Sequence, residues 1–316
     1  MADSKQKITT SKKAPEKTSV LTWIRYSFEF IVFINFTLIL FIIPWSIVWR
    51  IGRGIGAVMA KYFPTRRKLV ESNLSLAFPH WEKSKRDNVI RDVYKHWGEM
   101  FFATLKLWFL SDRKIESIVE AEDGFKDYLI EKKKQNIPVI FFTGHFGSWE
   151  IAGRWVAMMS KGSASIYRIQ KNPLVNAPLE WMRIRKGLYL INSWAGLGAI
   201  SNTLVEKGQL AVVGDQHRGK NSLKISFFGL PSSSPRGAVE LIKRVNPELV
   251  FLSVNQNLGT YTIHWEKVDY TLPTEPSEEW DIELTQKLMN LLEVEIIKKP
   301  EQYFWFHKRW PKLLNK

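Results

Sequence analysis

A charge-free run from Phe30 to Trp49 constrains this chain more than any other feature of its sequence. The run reads FIVFINFTLILFIIPWSIVW and is interrupted only by three uncharged polar residues. A helix of about 20 residues crosses the roughly 30 Å hydrocarbon core of a bilayer. We therefore predict a transmembrane anchor helix over residues 21–50, kinked by Pro44 near its far end. The alternative is a buried core helix, although core helices are rarely apolar on every side.

Both flanks of this run are basic. Residues 1–20 are polar and rich in lysine, and we predict a disordered tail there. Because Lys and Arg also follow the run, the positive-inside rule does not orient the anchor. The formal net charge of +15 indicates an acidic partner, which can be nucleic acid, anionic lipid headgroups or an acidic carrier protein. The chain has no cysteine, which excludes disulfides, thiolate catalysis and cysteine-ligated metal sites.

Residues 51–316 are predicted to form one α/β domain. A long amphipathic helix is expected over 84–110, and short apolar runs then alternate with helical patterns. Apolar strands separated by helices are typical of a mostly parallel sheet that is flanked by helices and buried on both faces. The apolar runs are 137–142, 164–169, 188–191, 209–213 and 248–254, the helical patterns are 148–160, 173–186, 195–207 and 235–245, an alternating strand is expected over 259–270, and a final helix is expected over 279–297.

The segment TGHFGSWE (143–150) follows the first of these apolar runs. Ligands bind at the carboxyl ends of strands in open α/β sheets, which is where His145 falls. We predict that His145 is a general base. We also expect the glycine-flanked turn to fold Glu150 back, so that its carboxylate accepts a hydrogen bond from the ring and fixes the tautomer. A buried structural histidine is the alternative.

The same His-x4-acid spacing occurs a second time, at His264 and Asp269. Both residues lie on one predicted strand, where an odd separation places side chains on opposite faces. We therefore predict that this second pair is not a site. The sequence contains no nucleophile elbow, phosphate-binding loop or paired metal-ligand motif, and no cofactor is predicted.

Further polar residues stand near the ends of later strands. Arg168 closes one apolar run, while Asp215 and Gln216 follow another. Their shared position at the carboxyl edge of the predicted sheet makes them candidate substrate contacts. The alternatives are a surface cation for Arg168 and a helix cap or turn residue for Asp215. Arg183 and Arg185 lie on the intervening helix, where arginine is more often solvated, and of these two Arg185 is kept as a candidate substrate contact.

Four ordered blocks extend over most of the chain. They are TGHFGSWE, IYRIQKNPLVNAPLEWMRIRKG (166–187), VVGDQHRGKNSLKISFFGLPSSSPRGAVEL (212–241) and PEQYFWFHKRW (300–310). Together they resemble the late acyltransferases of lipid A biosynthesis, the bacterial lauroyl/myristoyl transferases, which belong to a wider lysophospholipid acyltransferase superfamily.

This resemblance implies a donor, an acceptor and roles for the candidate residues. The donor would be an acyl-carrier-protein thioester, and the acceptor would be a glucosamine-disaccharide lipid, the lipid A precursor. His145 would be the general base, oriented by Glu150. Arg168 would face the thioester oxyanion or the acceptor phosphate, and Asp215 with Gln216 would shape the acyl-binding side.

The resemblance also implies a location. Carrier-bound acyl donors are cytosolic, so the chain would be a single-pass protein of the bacterial inner membrane with its catalytic domain facing the cytoplasm. Two alternatives stay open. One is a related acyltransferase that acts on a lysophospholipid or a glycolipid such as a glycosylated phosphatidylinositol. The other, from a different class, is a membrane-tethered protein that binds an anionic ligand. Nucleic acid is not expected as a partner, because no nucleic-acid-binding motif stands out.

Overall fold

The apolar N-terminal run forms two helices in the computed structural model, which describes residues 19–216 and 222–314. Helix α1 covers Val20–Ile42 and helix α2 covers Trp45–Tyr62. The anchor predicted over 21–50 therefore coincides with α1 as far as Ile42, and its last residues, from Trp45 onward, belong to α2. Pro44 has no backbone N–H and disfavours a helical residue before it, so Ile43 is extended and a new helix begins after the proline. The predicted disordered tail falls almost entirely outside the described residues.

Helix α1 is the candidate membrane span. Among the described helices it alone is long and apolar enough to cross a bilayer, and most of its residues are exposed. It nevertheless contacts the rest of the protein. The side-chain amide of Asn172 donates to the carbonyl of Tyr26 at 3.0 Å and to the carboxylate of Glu29 at 2.9 Å. Near the other end of α1, the ammonium group of Lys106 donates to the carbonyl of Phe41 at 2.5 Å.

Helices α3 (Arg67–Ala77) and α4 (Lys83–Leu107) follow α2. The prediction of a long helix at 84–110 is confirmed. Helix α2 packs closely along α4 because glycines remove the side chains between them. A Cβ atom added to Gly52 would lie 2.6 Å from the carbonyl oxygen of Gly98, and one added to Gly56 would overlap the carbonyl oxygen of Tyr94.

The remaining chain builds the predicted α/β domain, and its mostly parallel sheet is confirmed. The seven strands lie in the order β1-β9-β8-β2-β5-β3-β4, and every neighbouring pair is parallel except β8 and β9. The strands are β1 (Val119–Ala121), β2 (Val139–Thr143), β3 (Ser163–Tyr167), β4 (Leu188–Asn192), β5 (Gln209–Val213), β8 (Glu248–Asn257) and β9 (Thr260–Lys267). A separate antiparallel hairpin contains β6 (Ser222–Phe227) and β7 (Leu230–Pro235).

Helices cover both faces of the sheet. They are α5 (Asp112–Ile118), α6 (Phe125–Gln135), α7 (Trp149–Met159), α8 (Pro173–Ile184), α9 (Leu197–Lys207), α10 (Gly237–Val245), α11 (Glu278–Lys298) and α12 (Pro311–Leu314). Alternate residues of the central strand β2 enter opposite cores, with Phe142 packing in one hydrophobic cluster and Phe141 in the other. Burial of each such side chain contributes about 1.5–3 kcal/mol, so the apolar runs place β2 in the middle of the sheet. The loop that follows β2 is thereby fixed at the carboxyl edge.

Candidate active site

The loop from Gly144 to Ser148 presents His145 at the carboxyl end of β2. Gly147 has a positive φ of 55°, and a Cβ atom there would overlap the carbonyl oxygen of Val254 on β8. Only glycine allows this close approach of the two backbones. Gly144 lies against Leu292 of α11, which a side chain at position 144 would meet at 2.5 Å. The two glycines therefore set the course of the loop on either side of His145.

A C-terminal segment from Gln302 to Phe304 holds this loop from the other side. The backbone N–H of Gly147 donates to the carbonyl of Gln302 at 3.0 Å, and the N–H of Phe304 donates to the carbonyl of His145 at 2.9 Å. Phe146 and Tyr303 form an antiparallel bridge between these two bonds. The backbone position of His145 is thus fixed by the PEQYFWF stretch, which lies more than 150 residues away in sequence.

The imidazole of His145 is hydrogen-bonded to Asp215, which follows β5. The Nδ1 atom lies 2.6 Å from Oδ1 of Asp215, and the carboxylate is 1% exposed whereas the imidazole is 24% exposed. Burial by itself raises the pKa of Asp215, but the charge and hydrogen bonds of His145, together with the charge of Arg309, outweigh burial and lower it to about 2. Because Asp215 is ionised, it accepts a hydrogen bond from Nδ1 and leaves Nε2 of a neutral imidazole with the free lone pair.

Glu150 has a different partner from the one predicted. The predicted catalytic role of Glu150 stays a prediction, but its carboxylate accepts a hydrogen bond from a guanidinium nitrogen of Arg183 at 2.7 Å instead of from the His145 ring. The reason is local geometry. Trp149 is the first residue of α7, and its ring lies edge-on to the His145 ring at 5.0 Å. The next residue is rotated by about 100° around the helix, which directs Glu150 toward α8.

The other predicted contacts are dispersed. Arg168 is exposed at the end of β3, where it lines a groove of about 620 Å³ that also contains Phe33 and Lys171. Gln216 is half-buried beside Asp215. Arg185 follows the last residue of α8 and stacks over the ring of Trp181 at 4.6 Å. Two residues further on, the carbonyl of Gly187 accepts a hydrogen bond from the backbone N–H of Ser163, the first residue of β3. Arg185 therefore lies toward the edge of the sheet where the strands begin, away from His145 at the carboxyl edge.

Aromatic side chains, which were not among the predicted site residues, border His145. Phe304 lies 6.0 Å from the His145 ring, between ring centroids, and Trp97 of α4 lies 4.7 Å from Phe304 and 5.6 Å from Trp149. These rings give the histidine an apolar border on which a hydrocarbon chain can pack. The available signal was the aromatic stretch QYFWF, which stands in one of the four blocks. Within residues 19–216 and 222–314, no cluster of three or more His, Asp or Glu side chains is arranged to hold a metal ion.

The second His-x4-acid match does not form a pair. His264 lies 2.5 Å from the carboxylate of Glu122 through Nδ1 and 2.8 Å from the side-chain amide of Asn255 through Nε2. Asp269 lies beyond the end of β9. The prediction that this match is not a site is consistent with these contacts, because both ring nitrogens are already occupied by other side chains.

Comparison with known proteins identifies relatives over most of the chain. A family profile described as bacterial lipid A biosynthesis acyltransferase matches residues 14–312. The lipid A biosynthesis lauroyltransferase of Escherichia coli K12 is 24% identical, covering 85% of this chain and 86% of that protein. The palmitoleoyltransferase of the same pathway and organism is 23% identical with the same coverage. A lipid A biosynthesis acyltransferase from Haemophilus influenzae is 22% identical over 86% of this chain and 84% of its own length.

Proposed function

The chain belongs to the bacterial lipid A biosynthesis acyltransferase family, and we propose that it transfers a fatty acyl chain from an acyl-carrier-protein thioester to a hydroxyl of a lipid A precursor. The proposed acyl chain is a lauroyl or myristoyl group. The observation that supports this chemistry most directly is the hydrogen bond between His145 and the buried, ionised Asp215. That bond leaves one basic ring nitrogen on a half-exposed histidine beside an apolar border.

His145 acts as the general base in the proposed reaction. Nε2 removes the proton of the acceptor hydroxyl while the oxygen attacks the thioester carbonyl. The new C–O bond forms a tetrahedral intermediate, whose collapse breaks the C–S bond, and the departing thiolate takes the proton back from the imidazolium. General-base catalysis of this kind contributes about 10²–10⁴-fold. Asp215 stabilises the imidazolium that forms in between, so it replaces Glu150 as the residue that orients the base.

The remaining candidates have supporting roles in this proposal. Glu150, in the first turn of α7, forms an ion pair with Arg183 of α8 and so joins the two helices beside the loop that carries His145. Arg168 contacts a phosphate of the acceptor from the groove beside α1, and Gln216 borders the acyl chain next to Asp215. Arg185 belongs to a basic rim that suits an acidic carrier protein.

We further propose that α1 is a single membrane span in the bacterial inner membrane and that the catalytic domain faces the cytoplasm. The support for this orientation is chemical. An acyl-carrier-protein donor is a cytosolic molecule, and the site that uses it must lie on the same side. The apolar length of α1 and the contact of Lys106 with Phe41, at the end of α1 that leads into the rest of the chain, hold the site close to a lipid acceptor.

The test is acyl transfer by the full chain with acyl carrier protein as donor and a lipid A precursor as acceptor, read by mass spectrometry. We expect wild-type protein to add the mass of one acyl chain. His145→Ala and Asp215→Asn should each lower the rate at least about 100-fold. Asp269→Asn, which alters the second His-x4-acid match, is the matched control and should transfer at nearly the wild-type rate.

Two results would contradict the proposal in separate ways. Transfer by His145→Ala at the wild-type rate would remove His145 from the chemistry. Acylation of a lysophospholipid or glycolipid instead of the lipid A precursor would retain the base and refute the acceptor. Lipids extracted from cells with and without the protein provide the same comparison in vivo.

A further inference from the structure

Helix α2 exposes a continuous apolar stripe. It consists of five residues whose exposed fractions range from 36% to 61%: Ile47, Ile51, Ile55, Val58 and Tyr62. At 100° per residue these positions fall within an arc of about 80° on the helix surface. Single exposed apolar residues are ordinary on protein surfaces, but an aligned row over four turns marks an interaction surface. Because the glycine-lined side of α2 is occupied by α4, this stripe faces outward.

The stripe is continuous with the surface of the membrane anchor. Only Ile43 and Pro44 separate the end of α1 from the start of α2. Phe101 of α4 is 55% exposed, and its ring stacks on Phe36 of α1 at 6.5 Å, so α4 carries the apolar surface from α1 toward α2. A helix that starts where a membrane span ends lies at the boundary of the bilayer. Lipid is therefore the partner that best fits the apolar stripe of α2.

The charge around α2 identifies the kind of lipid. Residues 30–70 contain six Lys and Arg side chains and no Asp or Glu. Arg50 and Lys61 stand on one edge of the apolar stripe, at about 60° and 40° from Ile47 around the helix. Both are exposed, and their cationic groups lie over the rings of Trp49 and Tyr62. Long basic side chains beside an apolar face extend to the headgroup level and favour anionic lipids.

We propose that α2 is an in-plane membrane helix, with its apolar stripe immersed at the headgroup–acyl boundary and Arg50 and Lys61 in contact with anionic phospholipid headgroups. This position of α2 in the membrane interface brings the candidate active site to the membrane surface. Just beyond the C-terminal end of α2, Arg66 donates to the carbonyl of Phe306 at 2.8 Å. The ring of Phe306 lies 5.6 Å from Phe304, which borders His145.

The absence of cysteine allows a direct measurement of immersion, because an introduced cysteine is the only one that a nitroxide label can modify. The full chain carries the label at Ile51→Cys or Ile55→Cys and is reconstituted into phosphatidylcholine vesicles with phosphatidylglycerol. We expect both labels to be accessible to lipid-soluble oxygen and shielded from a water-soluble nickel chelate. Val205→Cys on α9, whose parent side chain is 61% exposed, is the matched control and should show the reverse.

The competing occupants give different results. If the nickel chelate reaches positions 51 and 55 as readily as position 205, the stripe is exposed to water and the proposal is refuted. If neither reagent reaches them, the stripe is covered by protein, most simply a second copy of the chain, which also overturns the proposal. Vesicles of phosphatidylcholine alone test the charge. The labels should become more accessible to the chelate there, and unchanged accessibility would refute the role assigned to anionic lipid.

An activity measurement complements the labels and rests on the proposed acyl transfer. We expect the double variant Ile51→Glu/Ile55→Glu to lower transfer to a vesicle-embedded acceptor by about tenfold or more, because charge on the stripe opposes immersion. Transfer to the same acceptor in detergent micelles should stay within about twofold of wild type. An equal loss of transfer rate in vesicles and in micelles contradicts an in-plane membrane position for α2. If the wild-type protein acylates the acceptor neither in vesicles nor in micelles, the proposed function is refuted, while the result of the spin-label measurement still stands.

Discussion

Glu150 and Arg183 form an ion pair whose side chains are each about one-fifth exposed. Partial burial strengthens such a pair relative to fully exposed pairs, which contribute about 0–1 kcal/mol. We expect Glu150→Gln and Arg183→Gln each to lower acyl transfer, and the charge-swapped double variant Glu150→Arg/Arg183→Glu to recover part of the loss. Glu150→Gln/Arg183→Gln completes the double-mutant cycle with the two single variants, and the coupling energy from that cycle should fall within about 0.5–3 kcal/mol.

The control for this cycle is the exposed pair of Glu206 and Lys207 on α9, where Glu206→Gln should leave transfer unchanged. If the Glu150 and Arg183 variants act additively, with no recovery in the charge swap, the pair itself is not what matters. The rate of transfer and thermal unfolding in detergent are measured together. A loss of rate without a loss of stability separates a functional pair from a purely structural one.

The sequence predicts both His145 and Asp215 as site residues, but it does not predict the hydrogen bond between them. Each follows an apolar strand, and that local pattern was enough to put both at the carboxyl edge of the sheet. Their contact depends on β2 and β5 being neighbours, which is a pairing of strands about 70 residues apart. The His-x4-acid spacing favoured Glu150 because it is local. The carboxylate that reaches His145 follows a neighbouring strand, and spacing along the chain carries no information about it.

The packing of α2 on α4 depends on glycine at specific positions. A Cβ atom at Gly56 would overlap the backbone of Tyr94, whereas one at Gly54 would meet nothing within 4 Å. We expect Gly56→Ala to lower the melting temperature in detergent by several degrees, because the two helices must separate. Gly54→Ala, in the same helix, should be neutral or stabilising by up to about 1 kcal/mol, since alanine is the better helix former. A similar loss in both variants would mean that helix propensity, not helix–helix contact, governs this region.

An element could be predicted from the sequence when a local apolar pattern stabilises it, and could not when distant contacts do. Strand β5 is an apolar run buried against its neighbours, and its observed bounds coincide with the predicted 209–213. The β6–β7 hairpin was not predicted, because β7 is LPSSSP and has little strand propensity. Its serines bond elsewhere in the fold, with the Ser232 hydroxyl donating to the carbonyl of Arg309 and that of Ser234 to the carbonyl of Gly214. Tertiary hydrogen bonds of this kind leave no periodic pattern in the sequence.

For the molecule as a whole, His96 links the helical layer to the active-site loop. This residue of α4 is buried, and burial first, then the charge of Arg53, lowers its pKa to about 3, although a hydrogen bond with the backbone of Gly147 partly opposes the shift. In the unfolded chain, histidine takes up a proton near pH 6.5. The folded protein therefore binds fewer protons than the unfolded chain between pH 6.5 and about 3, and its stability falls as the pH is lowered through that window.

Acid should consequently destabilise the whole fold through one buried imidazole on α4. Below pH 6.5 the expected contribution is a loss of up to about 1.4 kcal/mol of unfolding free energy per pH unit. Denaturant unfolding of the full chain in detergent between pH 7 and pH 4.5 measures it. His96→Gln should reduce this slope, whereas the exposed His80→Gln should retain it. The ionisation of Asp215 lies lower, near a pKa of about 2, and adds its own loss only below about pH 4. A slope that His96→Gln leaves intact would assign the acid sensitivity to other groups and would separate the stability of α4 from that of the loop that carries His145.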